Sequence, residues 1–109
     1  ANIGPYDRFA WLIVNGGNPY IDHPGCTGNP SSKPVINPLD SDKATAIQMM
    51  LNLVWAALPN LGTQTVGSTA GPNQFSQQII TACGTLYGST SATCTTVNAA
   101  LAATGFPVN

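Results

Sequence analysis

The chain has 109 residues, 43% of them hydrophobic, but only 6% charged, with three cations, four anions and one histidine. A charged fraction this far below the usual quarter leaves solubility to Ser, Thr, Asn, Gln and Gly, and the apolar content points to a packed chain and not a disordered one. Three cations cannot neutralise a phosphate backbone or hold an anionic membrane, so nucleic-acid binding and electrostatic membrane attachment are set aside.

The charge is also unevenly placed. Asp7, Arg8, Asp22, His23, Lys33, Asp40, Asp42 and Lys43 all precede Ala44, and no Asp, Glu, Lys, Arg or His follows. A general acid, base or metal site of the usual kind must then draw on the first 43 residues. The length predicts one domain over residues 1–109. A start at Ala1 without an initiator Met is expected of a mature secreted chain after signal-peptide removal. No apolar run is long enough to span a bilayer.

In chain order, Pro5 stands at the favoured first position of a helix whose face is Tyr6, Phe9, Leu12 and Ile13, and Gly16 with Gly17 ends it. Residues 16–40 then carry Pro at 19, 24, 30, 34 and 38, a density that forbids a helix, and they read as a long Pro/Gly-rich loop. A second helix, 41–58, is capped by Asp40 or Ser41, with Asp42 in the first turn where the helix dipole favours an anion. Ile47, Met50, Leu51, Val54 and Leu58 recur at helical spacing, and Met49, Leu53 and Trp55 widen that stripe over most of the circumference. Such a helix is expected to be central or covered by a partner.

A third helix opens at Gly71 and Pro72, carries Phe75, Ile79, Ala82, Cys83 and Leu86 on one face, and closes at Gly88. A fourth runs from about Ser91 to Thr104 with Cys94, Val97 and Leu101 in register, stopped by Gly105 and Pro107. The fold class is therefore all-α, about four short helices around the central apolar helix 41–58. The alternative is α+β, with 11–14 and 35–36 paired as a small two-stranded element.

Three cysteines permit one intramolecular bridge, and Cys83 with Cys94, eleven apart around a Gly-Ser-Thr turn, is the expected pair. That leaves Cys26 beside Asp22 and His23, the one place where reactive types cluster. A Cys–His pair assisted by Asp suits a thiolate nucleophile, and the same residues are weak candidates for haem or metal ligation. The spacings of a structural zinc site are missing, so the expected cofactor is none. The aromatic and soft side chains Trp11, Trp55, Tyr20, Met49 and Met50 are the candidates for contact with a ligand or partner.

The function this supports is a secreted, non-catalytic interaction or structural protein. Its uncharged apolar surface would contact itself, a protein partner, a lipid or a neutral polysaccharide. A small secreted enzyme or toxin using Asp22, His23 and Cys26, or a carrier of haem or another apolar ligand, are the alternatives.

Overall fold

A computed structural model describes residues 4–17, 35–60, 71–106 and 108. Among these residues four helices form: α1 (Gly4–Asn15), α2 (Lys43–Ala57), α3 (Gly71–Tyr87) and α4 (Ala92–Ala103), with a 3-10 turn Leu58–Asn60 continuing from α2. The all-α class is the observed one. Among the described residues the only β element is an isolated antiparallel bridge between Gly17 and Ile36.

Glycines with positive φ follow α1, α3 and α4. Gly16 adopts φ 71° after α1, a conformation that costs glycine little. A side chain there would also put its Cβ 2.7 Å from the Ile36 carbonyl oxygen, so Gly16 permits the close approach of residues 36–38 to the end of α1. The Gly17 and Ile36 backbones exchange hydrogen bonds of 2.8 and 2.9 Å, and the Leu39 N–H donates to the Ile13 carbonyl at 2.8 Å. Residues 11–14, the first half of the strand pair that the sequence also allowed, are helical. Phe9, Leu12 and Ile13 form a helical face and win burial there.

Asp42, and neither Asp40 nor Ser41, caps α2: its carboxylate accepts the Thr45 N–H at 3.0 Å and the Thr45 hydroxyl at 2.6 Å. Asp40 instead accepts the Asp42 N–H at 2.8 Å and shapes the approach. The Thr45 hydroxyl first, and its N–H second, hold the Asp42 carboxyl below its ordinary 3.8. A depressed carboxylate stabilises the fold above its unfolded value, and that contribution is lost as pH falls through the lowered folded value. Protection of the first-turn amides of α2, taken relative to their intrinsic exchange at each pH, is therefore expected to fall on acidification below about pH 4. In Asp42→Ala the same amides should show lower protection throughout, without that acid dependence.

Ser91 caps α4, its hydroxyl accepting the Cys94 N–H at 3.2 Å. At the other end Gly105 takes φ 92°, the Phe106 N–H reaches the Leu101 carbonyl at 2.9 Å and the Gly105 N–H reaches Ala102 at 3.2 Å. This is a Schellman stop, and it folds Phe106 back onto the bundle.

The helices pack as a ring: α1 on α2 and α4, and α3 on α2 and α4. Its middle holds Phe9, Leu12, Ile13, Leu53, Ile79, Val97 and Leu101. Across one diagonal Tyr6 and Phe9 of α1 meet Phe75 of α3, with Phe106 completing the cluster at centroid distances of 4.8 to 6.4 Å, mostly edge-on. Edge-on aromatic pairs add about 0.5–1.5 kcal/mol each beyond their area. Cys83 and Cys94 tie α3 to α4 as a disulfide, with Cα atoms 5.7 Å apart, near the preferred separation.

Because the arrangement is a ring, α2 is one wall of the bundle and not its axis. Its buried residues are Ala46, Leu53 and Ala57. The face of α3 is likewise narrower than its pattern, since Leu86 is exposed.

Candidate contact face on α2

Two apolar ladders run along α2, one residue apart. The first is Ala46, Met50, Leu53 and Ala57, spaced 4, 3 and 4. Three of these are buried and Met50 is packed half-buried against the core. The second is Ile47, Leu51, Val54 and Leu58, with the same spacing and about 100° further round the helix. Val54 is half-buried; Ile47, Leu51 and Leu58 are exposed.

Leu58 stays in register although α2 formally ends at Ala57. It keeps helical backbone angles, φ −52° and ψ −45°, and its N–H bonds to the Val54 carbonyl. Trp55 lies beside the second ladder, 78% exposed, against 50% for Leu51. Trp55, Leu58 and Pro59 line an open concavity of about 330 Å³ at the C-terminal end of the face. Along one margin Gln48 donates its side-chain N–H to the Asn52 side-chain oxygen at 3.0 Å, a neutral rung that uses part of their polar capacity. Ala44 and Thr45 make the N-terminal end small.

No charge interrupts the face after Lys43. At these exposures Ile47, Leu51, Trp55 and Leu58 present on the order of 450 Å² of mainly apolar surface, as large as the largest patch of an ordinary monomer, which is often functional. Leaving it in water forgoes roughly 10 kcal/mol of transfer free energy at about 25 cal/mol per Å², so any apolar contact there gains a large gross term.

Of the residues singled out for contact, Trp55 stands on this face. Met49 and Met50 are half-buried, and Met50 belongs to the core side. Trp11 is on α1, 40% exposed, and it anchors the helix end by accepting the Asn15 side-chain N–H on its carbonyl at 3.0 Å. Tyr20, Asp22, His23 and Cys26 lie outside the described residues. Among the described residues no three His, Cys, Asp or Glu side chains come together. The face from Ile47 to Leu58 carries no charged, hydroxyl or thiol side chain. What it offers is apolar area, a pocket and shape.

From the sequence Ile47, Leu51 and Leu58 belong to the apolar stripe of a helix expected to be central or covered by a partner, and spacing alone does not separate them from the buried ladder. The overlooked signal was size. Ala46 and Ala57, on either side of Leu53, are buried, and Ile47, Leu51 and Leu58, all larger than alanine, stand on the other side.

Among the described residues no helix is long and apolar enough to cross a membrane. The chain matches no family model, no curated protein and no solved structure.

Proposed function

We propose that this chain is a secreted, non-catalytic interaction protein that works through the uncharged apolar face of α2. The observation carrying this reading is the second ladder: Ile47, Leu51 and Leu58, with Trp55 beside them, are exposed on a helix whose other ladder already satisfies the core. Contact surfaces have this anatomy, apolar and uncharged at the centre with polar groups such as Gln48 and Asn52 at the rim. Secretion is supported by the Cys83–Cys94 bridge, since such bonds persist in oxidising compartments.

Leu51→Glu tests the reading. It sets a charge in the middle of an exposed face, where it needs no burial, so thermal stability is expected to stay within about 0.5 kcal/mol of the parent. The parent should bind a solvatochromic apolar dye, and the variant should lose at least ten-fold in that binding. Binding to the parent should change little with sodium chloride and strengthen in sulfate, as expected of apolar burial without ion pairs. A monomeric parent that binds no apolar probe, or a variant that binds it equally well, overturns the proposal.

A further inference from the structure

The geometry points to a second copy of this chain as the occupant of the α2 face, with the two α2 helices antiparallel and Leu51 on the two-fold axis. The inference rests on reading that face as a contact surface and adds to it a partner and an orientation.

A 4, 3, 4 ladder is the seam by which one helix interdigitates with another. The exposed ladder from Ile47 to Leu58 is about 16 Å long, three turns, long enough for a helix and ill-suited to a small compact ligand. The exposed neighbours Ala44, Gln48, Asn52 and Pro59 widen its footprint toward the ~800 Å² that each partner of a standard interface buries. A net charge of −1 gives two copies almost no reason to repel. A face that meets itself across a two-fold axis closes into a dimer without leaving a second apolar face open.

Orientation follows from size and charge along the ladder. The N-terminal end is small, at Ala44. The C-terminal end is large, with Trp55 and Leu58 around the 330 Å³ concavity. Antiparallel pairing about Leu51 sets Leu58 opposite Ala44 of the copy and Trp55 opposite Ile47, so bulk meets space at both ends and the concavity receives Ile47. Parallel pairing sets Trp55 on Trp55 and Ala44 on Ala44, splaying one end and leaving a gap at the other. It also brings Asp40, Asp42 and Lys43 of one copy against the same three charges of the other. Antiparallel pairing lays that charged end beside the uncharged Pro59 end.

Cysteine cross-linking in a Cys26→Ser background tests this, because Cys83 and Cys94 are bonded to each other and the introduced thiol is then the free one. Leu51→Cys alone should oxidise to a covalent dimer. An equal mixture of Ala44→Cys and Leu58→Cys should cross-link to each other at least ten-fold faster than either does to itself. Sedimentation of the Cys26→Ser protein from roughly 10 µM to roughly 1 mM should show a monomer–dimer equilibrium that Leu51→Glu abolishes. Efficient self-linking at all three positions means parallel pairing and overturns the orientation. A monomer throughout, with dye still held through Leu51, overturns the second copy as partner and leaves the contact face standing. A monomer that binds no dye overturns both.

Discussion

Leu53→Ala is expected to lower the thermal midpoint by roughly 10–25 °C, while Leu51→Ala, two residues along the same helix, moves it by no more than a few degrees. Leu53 has no exposed surface and lies among the buried residues of the core. Truncating it removes transfer free energy and leaves a cavity, together worth about 2–5 kcal/mol. Leu51 is half exposed, and its loss in the monomer falls within the roughly 0.5 kcal/mol typical of surface changes. A chain of this size has about 5–15 kcal/mol of stability in all, so the first change approaches the threshold for folding and the second leaves it intact. The pair is to be measured by thermal and denaturant unfolding at low micromolar concentration, where the proposed self-association is weakest. Equal costs would mean that the second ladder is covered within the monomer, and the contact face would fall with that result. If the cost at Leu51 grows with protein concentration while that at Leu53 does not, the difference measures the contact itself.

The same two leucines show how far the sequence could be read. Helix positions followed from breakers and caps: Pro5 and Gly16 bracket α1, Gly88 follows α3, and Gly105 makes the Schellman stop after α4. The Cys83–Cys94 pairing followed from a short turn between two helices. Periodicity, by contrast, fixes which residues share a face only when one face is polar. On α2 nearly every position between Ile47 and Leu58 is apolar, and two ladders a residue apart satisfy the same spacing rule. Which ladder is buried depends on the fit against α1 and α3, neighbours whose surfaces the local sequence does not contain. The bridge from Gly17 to Ile36 was out of reach for a similar reason. It depends on the left-handed glycine at 16 allowing residues 36–38 to approach within van der Waals distance, an event between segments about twenty residues apart.

Breaking the Cys83–Cys94 bond is expected to cost about 3 kcal/mol, because the bond closes a short loop whose freedom it removes from the unfolded chain. With about 4–8 °C per kcal/mol for domains near this size, the reduced protein should unfold at least 10 °C below the oxidised one. The folded state loses little contact when the bond opens. Both cysteines are buried, and Ser91 with Gly88 still shapes the turn between α3 and α4 through the Cys94 N–H and the Ser91 N–H. The secondary structure of the reduced protein at low temperature should therefore match the oxidised form, and the deficit should appear in the unfolding transition. Burial also sets the rate. Cys83 has no exposed surface, so a reductant must wait for α3 and α4 to separate, and reduction should be slow in native buffer and accelerate with added urea. A Cys83→Ala, Cys94→Ala double variant matches the reduced protein in chain entropy and fills the site with smaller apolar groups, so its midpoint should lie at or somewhat below that of the reduced form. A double variant as stable as the oxidised protein would remove the bond from the account of stability. The proposed dimer provides an independent readout, since the α2 ladder is on another wall of the ring: mild reduction that leaves the helices intact should leave self-association at its oxidised strength.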